Sequence, residues 1–509
     1  MSSKDLSGYT IVIIGVGASG VASFIHLVLK WIVQVRTKNI SIALIERKMD
    51  FGPGLAYGTG QEGHLLNTKA GLMGIFAEEP LHFIQWMHEH QEMIKKDFPQ
   101  AAIHPDAYPP RMLYGIYIKD TLNQYITIAH KYGIKVTLIS SEVLDAEISA
   151  KKITCIMESG EQIIADIGIL ATGTPEAASF KNLRSIEQYL SSPWPAQQLL
   201  QKIKNKKASV TIIGSSLTAI DAVMTLVTNK HRGPINLFSI NGLLPRVQAP
   251  RETSYERKLL TLSNIRKLIR TERRSLRVKD LIRLFMQEVE GALKQKINWK
   301  DTERIGKSPV NLLKEDIHLA LKGKNIFQDI LFSLRYISYD IWKLLPEDQK
   351  LLYGRWIKPY VDINRHPIPL ENGIKLLNLL ESKQLNVISH SKEILWDDSR
   401  LKFILQTKEG VKGESDYVIN ATGPTTAIEK MDDIPLLRTL HHKKQIVAYK
   451  PGGVQADLNT MKITVRGIPN APVYGVGHLL IGLQHDVNAL WFNIARIDEM
   501  TDAIIKRLV

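Results

Sequence analysis

Cysteine is the scarcest residue in this 509-residue sequence, occurring once. Cys155 sits alone in the apolar run ITCIM (153–157), which excludes a disulfide framework and a cysteine-built metal cluster. A reducing cytoplasm is the expected setting. Long apolar runs are missing too. The most apolar helical stretch, FIHLVLKWIVQV (24–35), contains Lys30 and falls short of the roughly 20 residues that span a bilayer. It is expected as the core-facing crossover helix of a βαβ unit, with no transmembrane segment anywhere. The amino-terminal MSSKDLSGYT is polar and shows no signal-peptide pattern. No carboxylate–histidine spacing of a zinc protein appears, and His88 and His90 of HFIQWMHEH would diverge on one helix. No metal is expected.

Acidic residues are the minority charge: 51 Asp and Glu against 66 Lys and Arg leave a net charge of +15. Residues 251–310 hold sixteen of the basic residues against eight acidic ones. A patch of this kind can hold nucleic acid, an anionic membrane or an acidic partner. No aromatic ladder or nucleic-acid motif accompanies it. The expected reading is therefore a solvated helical face packed inward by its apolar side, with nucleic acid and membrane not favoured. The length suggests two or three domains.

What is present is one pattern twice. In YTIVIIG, Ile11 to Ile14 form the β-branched run of a central parallel strand buried on both faces. Gly15, Gly17 and Gly20 then fit G-x-G-x-x-G: a sharp turn, a close approach for a pyrophosphate, and tight helix–strand packing. The following helix start offers unpaired N–H groups and a positive dipole end. A second apolar strand, ISIALIE, ends in Glu46, where a carboxylate can accept from ribose hydroxyls. The next 28 residues are too glycine-rich for regular structure. KVTLISSEVLDAEI and KKITCIMESGEQIIADIGILATG read as strands that close at Thr172 and Gly173. VTIIGSSLTAID (210–221) repeats the opening, with Gly214, Ser215, Ser216, Thr218 and Ala219 in the turn and helix start. The stretch 386–423 retraces 134–173 and ends at Gly423. The first interval, Gly15 to Gly173, spans 158 positions and the second, Gly214 to Gly423, spans 209. The excess fits an insertion, the basic helical stretch near 251–350.

The fold class expected is α/β: two Rossmann-like dinucleotide-binding domains, with a helical insertion in the second. Residues 1–190 would start the first domain, 191–430 would form the second, and 431–509 would complete the first. This arrangement resembles the two-dinucleotide-binding-domain flavoproteins, which bind FAD in one unit and NAD(P)H in the other. FGPGLAYGT, HLLN, PPRMLYGIYI, TIIGSSLTAIDA, NGLLPR and INATGP resemble, more narrowly, the FAD/NAD(P)-binding family related to class B and N-hydroxylating flavin monooxygenases. That resemblance implies FAD pyrophosphate on Gly15, Gly17, Ser19 and Gly20, the adenosine ribose on Glu46, and adenine against the backbone of Val143. Asn67 and Arg111 would lie near the flavin, and Gly475, Gly477 and His478 would close over it. The second cradle would take NADPH or NADH. No arginine ends its strand at Ser239-Ile240-Asn241 to grip a 2′-phosphate, so Arg246 or Arg251 is the candidate substitute.

The lone cysteine excludes a disulfide reductase. The resemblance then implies a flavin monooxygenase that oxygenates a small molecule with dioxygen through a flavin C4a-hydroperoxide. The alternatives are a flavin reductase, dehydrogenase or oxidase with another acceptor, and a non-catalytic flavoprotein whose insertion binds a partner. His485 and Asp486 are candidates for acid and base chemistry, beside a capping role. Arg365, in NRHPIPL, is a candidate for a substrate-side loop, beside a rigid proline turn.

Overall fold

The computed structural model describes residues 9–35, 39–251 and 254–509. The polar amino terminus and Glu252–Thr253 of the basic stretch lie outside these. The chain forms two compact units. One holds the chain through Thr59, Thr68–Glu176 and Pro424–Val509; the other holds Gly60–Asn67 and Ala177–Gly423.

In the first unit, β1 (Tyr9–Ile14), β2 (Ser41–Glu46), β3 (Lys135–Ser140), β4 (Val143–Ile148), β5 (Ile153–Met157) and β6 (Gln162–Leu170) build one sheet in the order β3-β2-β1-β6-β5-β4. β1 runs parallel to β2 and β6, while β4, β5 and the start of β6 form an antiparallel meander. The short strand Val473–Gly475 adds to β6 in parallel, so the carboxy-terminal segment completes the sheet. Ile11, Val12 and Ile13 have no exposed surface. Each such side chain contributes roughly 1.5–3 kcal/mol by its removal from water. Helix Ala18–Gln34 buries Val21, Phe24, Ile25, Leu27, Val28 and Trp31, so the most apolar stretch is a crossover helix in the core. Helix Leu490–Leu508 packs on it, and Asp498 receives His26 Nδ1 at 3.0 Å and Lys30 Nζ at 2.8 Å across the seam.

The second unit repeats the plan. β7 (Tyr189–Leu190), β8 (Val210–Ile213), β9 (Ile235–Phe238), β10 (Leu385–Ile388) and β14 (Tyr417–Asn420) form a parallel sheet ordered β10-β9-β8-β14-β7. Between β10 and β14, β11 (Ser391–Asp397), β12 (Lys402–Thr407) and β13 (Gly410–Ser415) form the antiparallel meander. In the first unit β6 is both the last meander strand and the parallel partner of β1; here Asp416 separates β13 from β14. The Ser209 N–H and hydroxyl each donate to the Asp416 carboxylate at 2.7 Å, and the Asp416 N–H returns to the Ser209 carbonyl at 3.0 Å. Because β7 belongs to this sheet, the chain enters the second unit at Ala177, ahead of the boundary expected at 190. It leaves after Gly423, ahead of 430.

The crossover 239–384 between β9 and β10 carries the insertion, which is helical from Leu262 onward. Its helices enclose their own core of Leu260, Ile265, Leu276, Val278, Val289 and Trp342, among others. Along 275–280 Ser275, Arg277 and Lys279 face out while Leu276, Val278 and Asp280 face in. The basic stretch is thus a solvated face over an apolar interior. Residues 60–67 join this unit because His64 is buried on helix Leu217–Thr228. Its Nε2 lies 3.1 Å from the Asp221 carbonyl and 2.8 Å from Thr225 Oγ1, with the ring edge-on to Trp194.

Candidate dinucleotide-binding sites

The first cradle forms where β1 turns into helix Ala18–Gln34. Gly15 has φ +92°, and a Cβ there would meet the Ala171 carbonyl oxygen at 2.2 Å, so only glycine fits. The Gly15 N–H donates to the Ile45 carbonyl at 2.8 Å, and the Ala171 N–H donates to Ile14 at 2.8 Å. Gly17 caps the helix with extended backbone and no side chain over the first turn, which holds no acidic residue. Free N–H groups at a positive helix end suit a pyrophosphate. At Gly20 the limit is space: a Cβ would lie 2.0 Å from the Gly15 carbonyl oxygen.

Around this turn the fold gathers most of the first-cradle residues expected from the sequence. Glu46 ends β2, and its Oε2 accepts from the Val16 N–H at 2.8 Å. The Ser141 N–H donates to the Glu46 carbonyl at 3.0 Å, which brings the start of β4, Val143, beside it. Gly477 has φ +70°, and its Cβ direction points to Ser19 Oγ at 3.7 Å. The Val476 N–H bonds the Leu170 carbonyl, so the Gly475–His478 turn stands next to Thr172 and Gly173. His478 is buried with Nε2 on the Thr425 carbonyl at 2.8 Å; burial lowers its pKa, against the Thr425 and Asn488 bonds. Arg111 opens helix Arg111–Lys131, which packs against Tyr57; burial raises that phenol to about 12, with Arg111 pulling the other way.

Two observations fit a ligand here. The Thr172 hydroxyl is a buried oxygen with no hydrogen-bond partner. Gly173, at φ +77°, has no atom within 4 Å of its Cβ position, so the strand end opens on free space. A buried polar group without a partner is costly unless something binds it. Its counterpart Thr422 is satisfied by Asn420 and Ser179, both at 2.8 Å.

The second cradle repeats the first bond for bond. The Gly214 N–H donates to Phe238 at 2.9 Å and the Ala421 N–H to Ile213 at 2.9 Å. Gly214 has φ +113° with Ala421 O at 2.6 Å from a Cβ, and Ser216 caps helix Leu217–Thr228 with extended backbone. Ser19 therefore matches Thr218, Gly17 matches Ser216 and Gly20 matches Ala219, whose methyl is fully buried. Gly423, at φ +87°, opens on free space as Gly173 does. Ser215 is turned inward, its hydroxyl donating to the Leu243 carbonyl at 2.6 Å while its oxygen lies 3.1 Å from Ser239 Oγ.

Other expected residues fall elsewhere. Asn67 closes the 60–67 segment and belongs to the second unit, whereas Arg111 belongs to the first. Arg246 is no surface cation: it is 8 % exposed, with Nε on Asp316 Oδ1 at 2.8 Å. The pairing follows because 246–248 runs alongside 363–368 beneath helix Pro309–Lys322. Arg251 lies on the surface beside the undescribed pair. Arg365 ends helix Lys358–Arg365 in the second unit. His485 and buried Asp486 lie in the first, before helix Leu490–Leu508. The three do not meet within one unit. Among the described residues no group of three His, Cys, Asp or Glu comes together as a metal site. No helix among them is long and apolar enough to cross a membrane.

Sequence reasoning passed over two features. Gly54 (φ +58°) brings its Cβ position to 3.1 Å from the Gly17 Cα, and Gly453 (φ +71°) brings its own to 2.2 Å from the Leu479 carbonyl. The signals were Pro-Gly at 53–54 and Pro-Gly-Gly at 451–453, which mark loops that press on the cradle.

Residues 12–175 match the model of a protein family described as FAD-NAD(P)-binding. No curated protein matches the sequence. Among solved structures, the chain is similar to the ornithine N-hydroxylase of Kutzneria sp. 744, solved with reduced FAD, NADP+ and L-ornithine. The TM-score is 0.60 at 14% identity, covering 99% of this chain and 100% of that one. It is also similar to the ornithine hydroxylase of Pseudomonas aeruginosa (TM-score 0.59, 12% identity, 99% and 100% covered). A third is the L-lysine 6-monooxygenase of Pseudomonas syringae (TM-score 0.60, 12% identity, 98% and 100% covered). The fold is that of the two-dinucleotide flavin monooxygenases, and the likeness runs the length of the chain.

Proposed function

We propose that this chain is an FAD-dependent, NAD(P)H-driven monooxygenase that hydroxylates a small molecule, a primary amine first among the classes to test. The observation that carries this reading is the bond-for-bond repetition of one cradle in two units. The orphaned Thr172 hydroxyl, whose counterpart Thr422 is satisfied, supports the first cradle as the site of the permanently held dinucleotide, FAD. The amine follows from the solved structures of similar fold, whose proteins hydroxylate ornithine and lysine. Dioxygen is the co-substrate, and the cytoplasm is the setting.

When bound, the flavin accepts a hydride from the nicotinamide and activates dioxygen; the protein's part is binding, orientation and electrostatics. Gly15, Gly17 and Gly20 let the main chain close on the pyrophosphate, and the helix end bears its charge. Glu46 holds the ribose. Gly214, Ser216 and Thr218 do for the nicotinamide dinucleotide what Gly15, Gly17 and Ser19 do for FAD. Buried His478 stays neutral and fixes the 475–478 turn through the Thr425 carbonyl. Cys155, buried on β5 with its thiol pushed up to about 12, has no redox partner in the sequence, so thiol–disulfide transfer is not the reaction.

The test is direct. The protein should purify yellow, and NADPH or NADH should reduce the flavin. A panel of ornithine, lysine, cadaverine and related amines should include one that couples oxygen uptake to a hydroxylamine product. Nicotinamide-driven flavin reduction with no hydroxylated product from any amine would remove the monooxygenase reading. A colourless protein that refuses FAD would remove the flavoprotein reading altogether.

A further inference from the structure

The first unit holds a column of aromatic rings that the cradle chemistry does not use. Its inner end lies by the first cradle: the Gly54 Cβ position is 3.1 Å from the Gly17 Cα, and Tyr57 closes the helical turn that Gly54 opens. From centroid to centroid, Tyr57 is 4.7 Å from Tyr114, Tyr114 is 5.3 Å from Tyr117, and Tyr117 is 5.6 Å from Trp86. All three spacings are those of interacting ring pairs. Phe83 packs 4.9 Å from both Tyr114 and Tyr117. The outer end is Trp86, stacked at 4.3 Å on half-buried His90. Tyrosine and tryptophan are the aromatic side chains that give up an electron most readily, and rings in contact pass it on.

What sets the column apart from ordinary core packing is where its protons can go. A phenol or indole that has lost an electron becomes a strong acid, so the electron leaves easily only beside a proton acceptor. The Ile75 N–H donates to Tyr117 Oη at 3.1 Å, which directs the phenol proton at His82 Nδ1, 2.8 Å away. Were that nitrogen protonated, the buried phenol hydrogen would have no acceptor. Burial lowers the His82 pKa, against Glu79 and Glu89, and so keeps the nitrogen open. Trp86 has an acceptor as well: its Nε1–H donates to Asp120 Oδ2 at 2.7 Å, and that carboxylate is 53 % exposed. Tyr114 differs, because its buried hydroxyl has no partner. Its proton cannot leave, so its ring serves as a bridge between Tyr57 and Tyr117.

We propose that this column carries single electrons from the surface of the first unit to its flavin, by way of Trp86, Tyr117, Tyr114 and Tyr57. The oxidant is the bound oxidised flavin under blue light, and the reductant is a small soluble thiol at the surface beside Asp120. Tyr117 yields an electron toward the flavin as its phenol proton moves to His82 Nδ1. It then recovers an electron from Trp86 and its proton from His82, while the indole proton passes to Asp120 and solvent. The thiol returns one electron and one proton to Trp86, and pairs of oxidised thiols close to a disulfide. For each thiol consumed the flavin gains one electron and, from solvent, one proton. The inference rests on the first cradle being the FAD site.

Flash photolysis of the full-length, FAD-loaded protein tests it without turnover, in the absence of oxygen and amine. Transient absorption, and electron paramagnetic resonance after rapid freezing, identify the radicals formed. Wild type should show a tryptophan radical, quenched by added glutathione. Trp86→Phe should replace it with a tyrosine radical, and Tyr117→Phe should abolish it. Tyr114→Phe breaks no hydrogen bond, so it should fold, and it should slow the arrival of the charge on Trp86. His82→Gln keeps a hydrogen-bonding side chain but no base, and should lose the radical with FAD content unchanged. Trp356→Phe, on the surface of the insertion, should leave the signal as in wild type. FAD-loaded wild type without a tryptophan radical overturns the inference and leaves the FAD site standing. So does an undiminished, equally fast signal in Tyr114→Phe and His82→Gln, whatever the folding of the other variants. A protein that refuses FAD overturns the reading of the first cradle and the inference together.

Discussion

Gly20→Ala isolates the steric demand of the first cradle. The added methyl would stand 2.0 Å from the Gly15 carbonyl oxygen and 3.0 Å from its carbon, where ordinary contact begins at 3.4 Å. Both atoms are main chain and Gly15 is held by Ile45, so the helix must move off the strand by roughly 1 Å. Overpacking of this kind costs about 1–3 kcal/mol, against which alanine recovers up to about 1 kcal/mol of helix propensity. The melting temperature should fall by roughly 2–6 °C. FAD should bind about tenfold more weakly, because the N–H groups at the helix start retreat from the pyrophosphate. Flavin fluorescence titration of apoprotein and a thermal melt read the two effects. The control is Ala219→Gly at the matching position of the second cradle. There the methyl already has room, so its removal should cost about 1 kcal/mol and leave FAD affinity unchanged. Wild-type FAD affinity and melting in Gly20→Ala would refute the claim that close helix–strand approach builds this site.

Gly214→Ala, strained at φ +113° and 2.6 Å from Ala421 O, should keep wild-type FAD occupancy yet lose flavin reduction by either nicotinamide, read by anaerobic absorbance at 450 nm as an order-of-magnitude ~10² fall in rate. Glu288, 2 % exposed, accepts from Tyr255 Oη and from the Lys258, Leu259 and Leu260 N–H groups; Glu288→Ala should destabilise the insertion by about 3–5 kcal/mol, seen as new proteolysis within 255–300. His26 and Lys30 hold the Asp498 carboxyl at about 2, below its ordinary 3.8. That stability is present above pH 4 and is lost as pH falls through 4 toward 2; with solvent screening it amounts to about 1–2 kcal/mol. Asp498→Asn should flatten the acid limb of the melting-temperature profile by that amount. Burial lowers His478, so its contribution is present above the ordinary imidazole range and is lost as pH falls below it. FAD release should accelerate as pH falls below the ordinary imidazole range, and His478→Gln should weaken that dependence.

The features legible in the sequence were those enforced within a few residues. A β-branched run can only be a buried strand here, and the positive φ of Gly15 and Gly214 and the close approach of Gly20 to the Gly15 carbonyl arise within their own strand–turn–helix units. The repeat was legible for the same reason, since each copy carries the local signals complete. The insertion followed from the extra length of the second interval over the first, and its inward face formed the separate core around Ile265 and Val289.

Pairings between distant segments were not legible. Arg246 had the look of a surface cation after a strand, and only the packing of helix Pro309–Lys322 buries it on Asp316. Nothing in GQEGHLLN announces that His64 anchors it to helix Leu217–Thr228, which assigns 60–67 to the second unit. Backbone strain, strand burial and helix starts are local interactions, so amino-acid order alone settles them. Ion pairing, burial of a charge and the partner of a loop depend on which surfaces the folded path brings together, and that was decided by the tertiary structure.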